Sequence, residues 1–214
     1  MTPTSLILPK YKHVFGLFET LGSYHNLFKH GFTSWAGDNG RFPPLKLIAD
    51  GVKVNPKWTV EEWLKMLNFY PDDMRPLCRF MVVPDVPFDR QGTLDIFDHY
   101  LPMVKERGYP AAFVTQDGVT SCEIPWSRID ALFIGGSDDH KLGRAAAALA
   151  MEAHQRGKWV HVGRVNSLAR IKHVWWADSV DGTMLAHNSG IHRQRLLAEG
   201  VVFCRAKKST RRLL

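Results

Sequence analysis

Apolar residues along the chain gather into short continuous runs separated by helix-sized segments, and several runs end alike. AAFVTQDG, ALFIGGSDD, KWVHVGR and VWWADSVDGT, between Ala111 and Thr183, each deliver polar or glycine residues at the C-terminal edge. Runs of this length are the pattern of buried parallel strands. With SLIL, TSWAG, FMVVP and VVFC they make eight candidate strands alternating with helical segments, which predicts an α/β fold, a compact (β/α)8 TIM-type barrel. No strand is followed by the G-x-G-x-x-G or G-x-x-x-x-G-K-[ST] turn of a doubly wound nucleotide fold. Groups just past the strand ends of a barrel share one face, so Gln116, Asp117, Gly135, Gly136, Ser137, Arg164, Asp178 and Asp181 are expected to converge there.

The intervening segments carry helix signals. Thr59 opens TVEEWLKMLNFY, with Glu62 completing a capping box and Val60, Trp63, Leu64 and Leu67 on one face. Leu94, Phe97, Leu101 and Val104 predict a helix over Thr93 to Arg107, kinked at Pro102 and closed by Gly108. Asp138 or Asp139 is expected to cap an alanine-rich helix reaching Arg156, Asn166 or Ser167 to cap SLARIKH, and GIHRQRLLAEG to form a last helix. A helix is also expected around Thr20 to His30, and LKLIADGVKVNPKW, turning at Asp50-Gly51, reads as a small hairpin.

The size of 214 residues fits one domain, drawn as residues 1–204 with a basic tail, RAKKSTRRLL, at 205–214. A hydrophobic fraction of 45% with 23% charged residues is that of an ordinary globular protein. No apolar run approaches the roughly 20 residues that span a bilayer, and MTPTSLILPKYK is too short in apolar residues for a secretory signal, so a cytoplasmic protein is expected. Cys78, Cys122 and Cys204 lie too far apart for a C-x-x-C pair, which argues against a disulfide framework or a cysteine-rich zinc site. The net charge of +7 and pI near 9.4 suit either a polyphosphate partner or simply a solvated basic surface.

Three predicted strands end at an aspartate: Asp38 in WAGDNGRF, Asp85 beyond Pro84 in VVPDVPFD, and Asp178 in WWADSVDG. Singly, each reads as a cap or turn residue. Together with Gln116 and Gly135-Gly136 they form a cluster in which neighbouring carboxylates can divide nucleophilic and acid/base work. His161 and His173 read as core or surface histidines.

In this order the landmarks resemble the tRNA-guanine transglycosylase superfamily, and especially its DNA-modifying branch, deazapurine-in-DNA protein A. Asp38-Asn39-Gly40-Arg41-Phe42 is similar to the Asp-Ser-Gly-Gly-Phe turn that bears a catalytic acid/base. Asp85 matches the base-reading aspartate, Thr115-Gln116-Asp117-Gly118 a Val-Gln-Gly-Gly segment, and Ile134-Gly135-Gly136 an Ile-Gly-Gly segment. Ala177-Asp178-Ser179-Val180 resembles the strand end that bears the nucleophile, although Asp181 is three residues away. The likeness spans residues 30 to 185; the zinc-binding C-x-C-x-x-C of the tRNA enzymes is missing, and Arg41 replaces a glycine.

The resemblance implies exchange of guanine in nucleic acid, DNA before tRNA, for a 7-deazaguanine such as preQ0. Asp178 would be the nucleophile and Asp38 the acid/base, with Asp85, Gln116, Gly135, Gly136 and Ser137 reading the base. It implies no metal or organic cofactor and a 7-deazaguanine co-substrate; a helicase-like or DNA-opening partner is the candidate for opening a duplex target, a point the sequence leaves open. Arg164, Lys141, Arg144, Arg170 and Lys172 are the candidate phosphate contacts, and Trp35, Trp175, Trp176 and Phe42 the candidate stacking surfaces. The rivals are a metal-dependent barrel hydrolase using His25, His30, His161 and Asp178, and a non-catalytic nucleic-acid-binding protein.

Overall fold

A computed structural model describes residues 16–22, 31–43, 45–182 and 198–204. Within them seven parallel strands follow one another in chain order: β1 Leu17–Glu19, β2 Trp35–Gly37, β3 Cys78–Val82, β4 Ala111–Thr115, β5 Ala131–Ile134, β6 Trp159–Val162 and β7 Ser179–Val180. Such an order arises when every crossover adds the next strand on the same side; a doubly wound sheet reverses direction part-way. The fold is therefore α/β with an all-parallel, singly wound sheet.

The sheet is also strongly curled. Strands lie about 4.8 Å apart, so β1 and β6 of a flat sheet would be separated by roughly 24 Å. Instead the Phe18 ring of β1 sits 5.2 Å from the His161 ring of β6 and 6.3 Å from the Phe133 ring of β5. Alternation along each strand then sorts side chains into two cores. Ala36, Phe80, Val82, Ala112, Val114 and Ala131 fill the concave side with Phe18, Phe133 and Trp159, while Trp35, Met81, Phe113, Leu132, Val160 and Val162 face the helices.

Those helices are α1 Leu45–Ile48, α2 Val60–Phe69, α3 Arg90–Lys105, α4 Asp138–Leu142, α5 Arg144–Gln155, α6 Leu168–His173 and α7, residues 198–204. Thr59 caps α2 by accepting from the Glu62 amide at 3.2 Å, and Trp63, Met66 and Leu67 form its buried face. Asp89, four residues ahead of the expected start, caps α3, which runs through Pro102 to Lys105. Ser137 rather than an aspartate caps α4, and Gly143 breaks the alanine-rich segment into α4 and α5. Among the described residues no helix is long and apolar enough to cross a membrane.

Four expectations are corrected. Leu17–Glu19, expected outside a strand, is β1, and the segment expected as a hairpin begins with α1. VVFC lies in α7, residues 198–204, with Val202 and Phe203 exposed rather than inside a sheet. VWWAD is not a strand: the Ala177 amide donates to the Val174 carbonyl at 2.8 Å, closing a turn that buries Trp176, and β7 starts only at Ser179. SLIL, His25 and His30, the body of the predicted Thr20–His30 helix, most of GIHRQRLLAEG and the 205–214 tail lie outside the described residues.

Candidate functional site

The C-terminal ends of the strands open onto a cavity of about 90 Å³ lined by Phe18, Asp38, Asp85, Gln116, Lys141, Arg164 and Asp181, with Phe42 and Phe88 among its other walls. Asp38 follows β2 on the same inward alternation as Ala36. Its amide donates to the Glu19 carbonyl at 2.7 Å, which ties the turn to β1. Gly40, at φ +74°, continues this turn where a Cβ would lie 2.6 Å from the Leu21 side chain, so both conformation and space call for glycine.

Burial, with the negative charges of Asp181 and Asp85 close by, lifts the Asp38 carboxyl to about 7, against the bonds from the Asn39 and Gly40 amides. A carboxyl lifted so far towards neutral pH suits a group that both gives and takes a proton.

Asp85 is displaced upward too, first by burial, with the bonds from Asn39 and Gln116 and the charge of Arg41 pulling the other way. Asn39 Nδ2 donates to one oxygen at 2.8 Å and Gln116 Nε2 to the other at 2.7 Å. Gln116 Oε1 accepts from the Phe88 amide at 2.8 Å, so this side chain fastens Asp85 to a loop on which Phe88 sits at φ +63°. Each carboxylate oxygen of Asp85 thus has an amide side chain as donor. Arg41, in the place of a glycine in the resembling motif, donates its amide to Asn39 Oδ1 at 2.8 Å and lays its guanidinium over Trp58 at 4.5 Å.

Asp181 completes the group. Its Oδ1 is 3.0 Å from His161 Nε2 and accepts from the Arg164 amide at 3.1 Å. Arg164 is held at φ +58°, its guanidinium donates to the Gly136 carbonyl at 2.9 Å and covers the Phe42 ring at 4.3 Å. Two non-glycine residues with positive φ, Phe88 and Arg164, thus stand at one cavity, where such backbones concentrate when a site must be held in one shape. Gly135 and Gly136 are confined by sterics: a Cβ at 135 would come within 2.8 Å of the Thr115 carbonyl, and one at 136 within 2.5 Å of Asp117.

The structure thus brings Asp38, Asp85, Gln116, Gly135, Gly136, Lys141 and Arg164 to one cavity, and separates the rest. Asp178 stands at the opposite end of the sheet: it precedes β7, its amide donates to the Val160 carbonyl, and its carboxylate accepts from the Val160 amide and meets His154 Nε2 at 2.9 Å. The apolar run before it belongs to a turn, so the strand comes after Asp178 and the carboxylate just past its end is Asp181. Ser137 caps α4 and is bonded to Asp117 through both its amide and its hydroxyl, outside the cavity lining. Lys141 is no surface cation, being 2% exposed, with its ammonium on the Gly163 carbonyl at 3.1 Å and on Asp138 at 3.0 Å. Burial draws its pKa down. Arg170 pairs with Asp138 at 2.7 Å, while Arg144 and Lys172 are exposed on α5 and α6. Trp35 and Trp176 are core residues, Trp175 is partly buried, and Phe42 lines the cavity.

His161, Asn39 and Asp181 are the contributors that the sequence placed elsewhere or left in second rank. A period of two was the available signal: it puts Trp159 and His161 on one face of β6, and Ser179 and Asp181 on one face of β7. Among the described residues no three His, Cys, Asp or Glu side chains are grouped so as to hold a metal ion.

No family model matches the chain, and no curated protein matches it. Among solved structures it is similar to tryptophan synthase subunit alpha from Legionella pneumophila str. Paris, at 13% identity and a TM-score of 0.46, over 98% of this chain and 99% of that one.

Proposed function

We propose that the protein is a base-exchange transglycosylase, replacing guanine in nucleic acid, DNA in the first instance, by a 7-deazaguanine, with Asp181 as nucleophile and Asp38 as acid/base. The observation that carries the reading is the convergence of Asp38, Asp85 and Asp181 at the ends of β2, β3 and β7, with the Asp38 carboxyl lifted to about 7. The resemblance to the transglycosylase superfamily supports it once its last landmark is moved from Asp178 to Asp181. The proposed frame is a (β/α)8 barrel of which β1 to β7 are seven strands.

In this mechanism Asp181 Oδ2 attacks C1′ as the C1′–N9 bond breaks, and the bonding pair leaves with the purine. Protonated Asp38 delivers a proton to the departing base. The incoming base surrenders a proton to the Asp38 carboxylate and attacks C1′, and the C1′–O pair returns to Asp181. Two inversions restore the β configuration, and each proton has a donor and an acceptor. Asp85 takes the N1–H and exocyclic amine of the purine, and Phe42 and Phe88 offer it apolar surface.

Reaching the bond requires the nucleotide to leave its stack, at a cost of a few kcal/mol in a duplex. Nucleoside mass spectrometry of DNA and tRNA from cells expressing the protein with a 7-deazaguanine source tests the reading. Modified DNA supports it as stated, modified tRNA alone reassigns the substrate, and neither modification, with no covalent adduct on guanine-containing oligonucleotides, overturns it.

A further inference from the structure

Four side chains on the inner faces of β6 and β7 form a one-way chain of hydrogen bonds ending on Asp181. His161 and Ser179 are directly paired across the strands, so their neighbours of like alternation, Trp159 and Asp181, fall on the same face. Trp159 Nε1 donates to Ser179 Oγ at 2.8 Å, Ser179 Oγ lies 2.8 Å from His161 Nδ1, and His161 Nε2 lies 3.0 Å from Asp181 Oδ1.

The direction follows from what each group can give. An indole N–H only donates, so one lone pair of the Ser179 oxygen is taken and its hydroxyl proton is available for Nδ1. An ionised carboxylate only accepts, so the nitrogen facing Asp181 must carry hydrogen. A neutral imidazole, bare at Nδ1 and protonated at Nε2, satisfies both ends at once. The ring is buried and packed among Phe18, Phe80 and Phe133, with centroid separations of 5.2, 5.1 and 4.7 Å, which hold its plane. Gly163 leaves the space for this packing, since a Cβ there would be 2.7 Å from the Phe133 ring and 3.5 Å from Asp181 Oδ1.

We infer that His161 is a positioning residue, locked in its Nε2–H tautomer by Trp159 and Ser179, and that it selects which oxygen of Asp181 reacts. With the Arg164 amide it occupies Oδ1 twice over, and no described side chain donates a hydrogen bond to Oδ2. The choice of reacting oxygen and its catalytic consequence rest on the transglycosylase reading; the tautomer and the double occupation of Oδ1 do not. On that reading Oδ2 forms the bond to C1′ while Oδ1 becomes the ester carbonyl oxygen. The His161 hydrogen bond then strengthens as negative charge returns to Asp181 in the second displacement, with no proton transferred to or from the imidazole.

Nitrogen-15 NMR of histidine-labelled full-length protein at pH 7.5 reads the tautomer directly. A pyrrole-type Nε2 and a pyridine-type Nδ1 for His161 are expected, and Ser179→Ala is expected to admit a second tautomer. An imidazolium, or a protonated Nδ1 with bare Nε2, overturns the lock. In single-turnover trapping on a guanine-containing single-stranded oligonucleotide, His161→Phe, which keeps the ring volume, should lower the chemical rate on the order of 10- to 100-fold with substrate affinity unchanged. His161→Gln, whose amide can still donate, should recover most of that loss. Equal losses in the two variants, or a loss confined to affinity, overturn the positioning role. If the wild type forms no adduct while the tautomer is as stated, the base-exchange reading fails and the lock stands.

Discussion

Two histidine–aspartate pairs with nearly the same separation sit at opposite ends of the same strand pair. At the entry of β7, Asp178 meets His154 at 2.9 Å and accepts the Val160 amide, with side chains that are 22% and 29% exposed. At the exit, Asp181 meets His161 at 3.0 Å, but the histidine there is 4% exposed and its second nitrogen is bonded to Ser179. The first pair is a staple on the start of β6. The second faces a cavity with two further carboxylates. A parallel sheet gathers its chemistry where loops of several strands meet at their C-terminal ends, and its N-terminal ends are left for fastening. Residue type and separation are shared by the two, while burial and the end of the strand distinguish them.

Exchanging one aspartate at a time breaks the comparison most sharply. Asp181→Asn should abolish covalent trapping of guanine-containing DNA, lowering the rate by at least about 10⁴-fold, as loss of a nucleophile does. Asp178→Asn should leave trapping within about two- to threefold of wild type, a change of roughly 0.5 kcal/mol. The variant's cost should appear in denaturant unfolding, at about 1–3 kcal/mol, because the Val160 amide loses a charged acceptor. The reverse outcome, an active Asp181 variant and an inert Asp178 variant, would move the site to the other end of the sheet.

Asp38→Asn probes the same cavity through its electrostatics. Loss of an acid/base group should reduce base exchange about 10²- to 10⁴-fold. The folded carboxyl titrates at about 7 against an ordinary 3.8, so between those values the folded protein keeps a proton that the unfolded chain has released. The contribution of Asp38 to stability therefore falls as pH rises through that window and levels off above it. Asp85, raised as well, contributes a fall of the same sign. Denaturant midpoints of Asp38→Asn across pH 4 to 8 should decline less steeply than those of the wild type, and an equal slope would contradict the assignment.

Gln116→Leu is the next sharpest probe. It removes the bond to Asp85 and the acceptor of the Phe88 amide, and should cost about 1–3 kcal/mol in unfolding. Base affinity should weaken more than chemical rate, since the carboxylate that moves is the one proposed to read the purine. The smallest effect is expected at Ser137→Ala, where loss of the α4 cap should cost about 1 kcal/mol in stability. Trapping should be unchanged, and a tenfold loss would return Ser137 to the site.

The parallel sheet and the helices after Thr59 were legible because their apolar periods are long and their caps local. Asp38, Asp85, Gln116 and Gly135-Gly136 were legible for the same reason: each follows a run whose end is marked by proline, glycine or a polar residue. Asp178 was misplaced because VWWA is as apolar as a strand yet packs as a turn, and hydrophobicity records burial without recording hydrogen-bond partners. Lys141 read as a surface cation because nothing local announces the Gly163 carbonyl and Asp138 that accept its ammonium in the interior. The role of His161 depends on the register of β6 against β7, a long-range fact that no window of sequence contains.

The strand that carries Asp181 is two residues long and pairs with β6 at only two positions, His161 with Ser179 and Val162 with Val180. Beyond it the Asp181 amide reaches the Val162 carbonyl at 3.4 Å, while its own carbonyl is held by the Val165 amide at 2.6 Å. β4, by contrast, is five residues long and paired on both sides. So short a ladder opens more readily than the middle of the sheet, and its amides exchange with solvent sooner. Whatever settles against Asp181 must slow that opening, so deuterium uptake at Val180 and Asp181 is a gauge of occupancy built into the sheet itself. It registers any ligand, reactive or inert, and so provides a screen that does not require the chemistry to be known.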